Sequence, residues 1–303
     1  MTKHQSKKTI VVSCSGIGKA FGTVAREATY LVTEELAKGK TDTICLPMLL
    51  VDEETRKLVN RNPCISIDGC ALACAKKNLE FAGGHVSKSF QVLEAIKRNR
   101  NLRTKGITQI DEDGRKLAHI LAEEMCTELE KTGLEQKENM LVSKASAAIP
   151  RSSSSPPQQN KRQESFSKVG IISCSGEGCI EGTISRIATR IVLERLRPHH
   201  TVTICLPLFI AGGLEERTFA SNYPTITVEG CSKKCAKKGT EKFSGQVSDA
   251  VVVTELIEKQ ELREAGSRRE LNTNGMNIAF KIAEEVAKKV DILGARKSHD
   301  SKL

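Results

Sequence analysis

The sequence predicts an α/β protein: two similar Rossmann-like domains, each a small parallel sheet of about four strands flanked by helices. Three observations carry that reading. First, Thr9-Ile10-Val11-Val12-Ser13-Cys14-Ser15-Gly16 returns as Val169-Gly170-Ile171-Ile172-Ser173-Cys174-Ser175-Gly176, an offset of 160 that becomes 161 by Gly69-Cys70 and Gly230-Cys231. Second, short apolar runs alternate with helix-periodic segments, as in a parallel sheet covered on both faces. Third, the copies are parted by Ile149–Gln159, a Ser, Pro and Gln stretch with too little apolar area to offset its ordering entropy. The unit is too long for a solenoid repeat. The expected layout is a first domain over 9–142, a flexible linker over 143–168 and a second domain over 169–294.

Within a copy, Ile10–Ser13 reads as a buried strand and Gly16, Gly18 and Gly22 as a permissive loop. Thr23–Leu36 has helical spacing, with Val24, Ala28, Leu31, Val32 and Leu36 on one side. Thr43–Leu46 reads as a second strand, stopped by Pro47. Glu53–Asn60 is a short helix, and Cys64–Ile67 a third strand followed by a helix starting near Cys70. Phe90–Ile96, Ala250–Ile257 in the second copy, suits a fourth strand, with helix as the rival. Lys116–Lys131 closes the copy as a helix carrying Leu117, Ile120, Leu121, Met125 and Leu129.

Composition narrows the function classes. Of the net charge of +10, residues 1–8 hold +3, 143–168 hold +4 and 295–303 hold +2, leaving +1 for the two folded bodies. Aromatics make up 3% with no Trp, so a base-stacking platform has almost nothing to be built from, and specific nucleic-acid binding is not expected. No apolar N-terminal stretch suggests a secretory signal, and no window approaches the ~18 apolar residues of a membrane span. A cytoplasmic location is the expectation, where thiols stay reduced. Eleven cysteines there point to metal or redox chemistry. The partner, a protein or a small molecule, is not legible.

The repeat sorts the cysteines. Cys14, Cys45, Cys70 and Cys74 recur as Cys174, Cys205, Cys231 and Cys235, whereas Cys64, Cys126 and Cys179 face Thr225, Ala287 and Lys19. Cys14, Cys45 and Cys70 each sit at or just beyond the carboxyl end of a predicted strand, and in a parallel sheet those ends share the edge where ligands bind. Cys74 lies one helical turn past Cys70. Four thiols per domain therefore converge, a set suited to tetrahedral Zn²⁺, about one ion per domain, or to an iron–sulfur cluster. A closed tetrathiolate shell leaves no position for water, so hydrolysis is disfavoured.

The Cys14-Ser15-Gly16 loop, Asp68-Gly69-Cys70 and Ala73-Cys74-Ala75-Lys76-Lys77 resemble the DGC-domain family, to which zinc binding is attributed without an established activity. The resemblance covers roughly 9–130 and 169–291. It implies chelation by Cys14, Cys45, Cys70 and Cys74 and by Cys174, Cys205, Cys231 and Cys235. The second copy departs from the naming motif, with Glu229 in place of Asp68. An acid there is expected to cap the following helix, and the extra methylene to weaken that cap.

Rival chemistries remain. A thiol-redox protein using Cys70/Cys74 and Cys231/Cys235 is one, with Cys179 either a partner thiol in the second copy or an unpaired loop cysteine. An iron–sulfur electron carrier is another. The strand–Cys–glycine loop is similar to the phosphate loop of low-molecular-weight phosphatases and arsenate reductases, but the oxyanion-holding Arg six residues on is Ala20 here and Ile180 in the second copy. The Gly16–Gly22 loop lacks the Lys-Ser/Thr of a Walker motif. No histidine recurs, so no Cys–His pair or other catalytic constellation emerges. Arg26 and Arg186 recur inside a helix, where surface ion pairing is the expected role.

Overall fold

The computed structural model describes residues 8–139 and 168–300; the expected linker falls almost wholly outside them. The first copy runs β1 (Thr9–Ser13), α1 (Ala20–Tyr30), β2 (Thr41–Asp42), α2 (Glu53–Arg61), β3 (Cys64–Asp68), α3 (Cys74–Phe81), β4 (Val86–Gln91), α4 (Val92–Arg98) and α5 (Glu112–Asn139), with a one-turn helix at Met48–Val51. The second runs β5 (Val169–Ser173), α6 (Ile180–Ile191), β6 (Thr201–Thr203), β7 (Thr225–Glu229), α7 (Cys235–Phe243), β8 (Asp249–Val252) and α8 (Thr273–Asp300). Its counterparts of α2 and α4 are one-turn pieces at Leu214–Arg217, Phe219–Asn222 and Val253–Leu256.

Each copy forms one all-parallel sheet, ordered β2-β1-β3-β4 and β6-β5-β7-β8. β1 pairs with β3 from Ile10↔Cys64 to Ser13↔Ile67, and β5 with β7 from Gly170↔Thr225 to Ser173↔Val228. The strand order reverses between β1 and β3. Right-handed crossovers therefore leave these neighbouring strands toward opposite faces, opening a crevice at their carboxyl ends. Val11, Val12, Ile65 and Ile67 are buried on both faces of the sheet, which is why the strands read as unbroken apolar runs.

Several expectations shift. The strand expected at Thr43–Leu46 lies earlier, at Thr41–Asp42, because β2 pairs only with Thr9 and Ile10 at the start of β1. Thr43–Cys45 then leaves the sheet. Phe90–Ile96 is divided, ending β4 and filling α4. The helix expected from Thr23 to Leu36 changes to π-helical turns over Leu31–Leu36.

The copies pack on each other. Leu50 of the first joins Ile172, Cys174, Leu206, Phe209, Phe219 and Ala236 of the second in one buried cluster. Asn78 Nδ2 donates to Pro207 O at 3.0 Å, and Tyr30 Oη donates to Glu177 O at 3.1 Å. Lys233 pairs with Asp52 at 2.8 Å. No helix among the described residues is long and apolar enough to cross a membrane.

Candidate thiol centres at the crevice of each sheet

Cys14 is the first residue past β1. Its N–H donates to Ile67 O at 3.0 Å, and its Sγ accepts the Gly69 N–H at 3.2 Å. The second copy repeats both contacts: Cys174 N–H to Val228 O at 2.9 Å, and Gly230 N–H to Cys174 Sγ at 3.1 Å. Glycine at these two positions lets the start of α1 or α6 pack close against the turn. A Cβ at Gly69 would stand 2.9 Å from the Phe21 carbonyl carbon, and one at Gly230 2.8 Å from the Gly182 nitrogen.

The helix expected near Cys70 begins at Cys74, so Cys70 and Cys74 do not share a helical face. Residues 69–73 form a turn that ends with Ala73 in the left-handed region, φ 52°. Cys231 and Cys235 are related in the same way, with Lys234 at φ 51°. The acid at the end of the third strand dictates this start. Asp68 accepts the Ala75 and Lys76 N–H groups at 2.6 and 3.2 Å, satisfying first-turn donors that a helix leaves unpaired. Glu229 does the same for Ala236 and Lys237 at 3.0 and 2.6 Å. The longer side chain keeps both bonds, against the expectation of a weaker cap.

The grouping of four cysteines within each copy is not what forms. Cys205 Sγ, from the second copy, accepts the N–H of Ile17 in the first copy's glycine loop at 3.3 Å. Cys45 Sγ, from the first, accepts the N–H of Gly178 in the second copy's loop at 3.0 Å. A Cβ on Gly176 or Gly178 would come within 3.0 or 2.9 Å of the Cys45 sulfur. The reason lies in the early end of β2 and β6: the segment that leaves each edge strand crosses to the opposite copy. Glu177 helps hold the exchange, taking the Ser15 hydroxyl at 2.6 Å and the Leu46 N–H at 3.2 Å.

A family model for the DGC domain matches residues 10–118 and 170–290. The chain belongs to the DGC domain family. No curated protein matches the sequence. A Bacillus subtilis structure, provisionally described as a phosphosugar isomerase, shares 10% identity over 95% of this chain and 90% of its own, with a TM-score of 0.27 that bears on neither fold nor activity.

In both DGC domains the thiols are held in buried surroundings that disfavour their charge. Burial, then Asp68, pushes Cys14 up to about 12, with Cys205 adding to the rise and the Gly69 and Gly16 amides opposing it. Burial followed by the charges of Cys14, Cys205, Asp68 and Cys70 pushes Cys74 up further. Cys174 reaches about 12 through burial and then Glu229. Cys235 is raised by burial, Cys174, Glu229 and Cys231. So Cys205 acts on the first DGC domain's pair from outside that domain. In the second domain it is Cys45 that acts on a neighbouring thiol: Cys45, then burial, pushes Cys179 up. Cys231 feels Cys179 in turn.

The donor type suits a thiophilic cation, and the amides aimed at Cys14 and Cys174 are the outer partners a bound thiolate uses. As the side chains stand, no three His, Cys, Asp or Glu among the described residues are grouped to hold a metal ion. Holding a metal ion would require these sulfurs to come closer together than they stand here.

Sequence reasoning missed three residues here. Arg26 and Arg186 are buried, 3% and 6% exposed, and are not surface pairing residues. Glu177 is 1% exposed and replaces Ile17 of the first copy. Recurrence of the arginines was the available signal; Glu177 had none, because its partners lie in the other copy.

Proposed function

We propose that the protein binds zinc through two thiol centres, each completed by a cysteine of the opposite copy: Cys14, Cys70 and Cys74 with Cys205, and Cys174, Cys231 and Cys235 with Cys45. The reciprocal contacts of Cys205 Sγ with the Ile17 N–H and of Cys45 Sγ with the Gly178 N–H carry the reading. Bound Zn²⁺ would stabilise the thiolates that burial disfavours and would tie the two domains together. The shared chemistry of four thiolates also suits an iron–sulfur cluster, which brown absorbance would reveal.

Double variants test the pairing, read as metal content of the full chain purified without oxygen. About two zinc ions per chain are expected in the wild type. Cys14→Ser with Cys205→Ser damages one centre and leaves about one ion, whereas Cys14→Ser with Cys45→Ser damages both and leaves about none. Reversal of that pattern would restore grouping within each copy; full metal retention in both would end the zinc reading.

Thiol–disulfide chemistry is the second reading, favoured by the Cys45–Cys179 contact. Two thiols would join as a disulfide, passing two electrons and two protons to a peroxide and yielding water. A metal-free wild type that loses two titratable thiols on mild oxidation would support it.

A further inference from the structure

A cavity of about 50 Å³ opens where α1 of the first copy meets α6 of the second. Its lining holds four guanidinium groups, Arg26, Arg115, Arg186 and Arg269, against two carboxylates, Glu27 and Glu270. The carboxylates are already engaged. Arg269 grips both oxygens of Glu27, its Nε at 3.0 and 3.1 Å, and Arg115 stands 3.7 Å from Glu270. Arg26 and Arg186 remain. Arg26 Nη1 donates to Gly16 O at 2.8 Å, and Nη2 to Thr23 Oγ1 at 3.2 Å.

Arg186 has only a long contact, Nη2 to Thr183 Oγ1 at 3.4 Å. Its Nε and Nη1 find no acceptor among the described residues, although the residue is 6% exposed. At least three N–H donors of a buried cation are thus unanswered. Glu177 attracts it, but that carboxylate is committed to Ser15 and Leu46. Burial and then the charge of Arg26 weaken the hold of Arg186 on its proton. An unpaired buried charge is costly, and a polar partner is the usual remedy. Water filling the cavity would answer the donors but add no negative charge to that of Glu177, the single carboxylate that Arg26 and Arg186 share.

We infer that this cavity between the two copies binds a free tetrahedral oxyanion, of the phosphate or sulfate class, on Arg186 and Arg26. About 50 Å³ among the lining side chains holds one such ion, and the organic part of a phosphoester would have to lie in the open mouth beside Arg115 and Glu270. Guanidinium is the side chain best matched to oxyanions. The rim pair Arg115 and Glu270, with side chains 47% and 72% exposed, marks the way in. None of the cysteines lines the cavity, although Arg26 holds the carbonyl of Gly16 in the Cys14 loop and Cys174 attracts Arg186.

Calorimetric titration and thermal melting of the full chain test this, with inorganic phosphate, then sulfate, against chloride at equal ionic strength. Saturable phosphate binding with a raised melting temperature is expected, and Arg186→Met should abolish both. Arg115→Glu, at an exposed position that leaves folding intact, should weaken phosphate by about tenfold. Glycerol phosphate should bind far more weakly than the free ion; equal binding would overturn the free-ion assignment. Identical curves for phosphate and chloride in the wild type would mean a water-filled cavity and overturn the inference. Unchanged phosphate affinity in Arg115→Glu, or in folded Arg186→Met, would put the ion elsewhere and overturn it equally.

Discussion

The two glycine loops share a path and differ in what they do for the interface. Cys14-Ser15-Gly16-Ile17-Gly18-Lys19 presents a backbone N–H to Cys205 and the buried Ser15 hydroxyl to Glu177, and brings no carboxylate of its own. Cys174-Ser175-Gly176-Glu177-Gly178-Cys179 presents the matching N–H to Cys45 but adds a buried carboxylate and a fifth thiol. Its Cys174 is also bonded by Ser185 Oγ at 3.3 Å, where the first copy has Ala25. Repeated residues, Cys45 and Cys205 among them, build the crevices and the reciprocal contacts; Glu177, which has no acidic counterpart, adds a one-sided fastening between the copies. Duplication thus leaves the site scaffold alike while letting the contact surface diverge.

Removing the divergent carboxylate should have the largest effect on stability. Glu177→Ala strips acceptors from Ser15 and Leu46 and removes the one negative charge that Arg26 and Arg186 share, a loss of about 3 kcal/mol in urea unfolding. A loss under about 1 kcal/mol would mean the copies hold together without it. Cys179→Ser sharpens the contrast between the loops by chemistry. Before oxidation the variant should hold as much zinc as the wild type, since Cys179 is outside the proposed centres; in metal-free protein, mild peroxide should join Cys45 to a second cysteine in the wild type and not in the variant, as read by peptide mapping. Equal oxidation of both proteins would assign the reactive pair elsewhere.

Smaller effects follow. Ser185→Ala makes the second copy resemble the first at that point and should cost about 1 kcal/mol; a neutral result would mean the Cys174 contact is idle. The Asp52–Lys233 pair joins the copies on the other side. Lys233 first, then Thr55, holds the Asp52 carboxyl at about 2, below its ordinary 3.8. A depressed carboxyl contributes stability above the unfolded value and loses it as the pH falls through the folded one. Asp52→Asn should therefore be less stable than wild type at pH 5, by under about 1 kcal/mol for so accessible a pair, and the two should converge between pH 3.8 and 2. A constant gap over that range would remove the ion pair from the account.

Much of the fold was legible because it is encoded locally. The runs at Ile10 and Cys64, the turn at Gly69 and the periodicity of Lys116–Lys131 specify strands, turn and closing helix within a few residues. The acid at Asp68 was read as a cap, and it is one. The reading failed where an element depended on distant support. Thr43–Leu46 has strand-like residues but no neighbour past Ile10 to pair with. Cys70 lies outside the helix because Asp68 draws the helix start to Cys74.

The sequence alone determined that there are two equivalent α/β units and which cysteines recur in both, since repetition and strand patterning are properties of the chain itself. Only the tertiary structure decided that Cys45 and Cys205 trade copies and that Arg26 and Arg186 are buried together. Those contacts join residues up to 188 positions apart, Cys205 with Ile17. They follow from how two finished domains dock, and no local pattern records that.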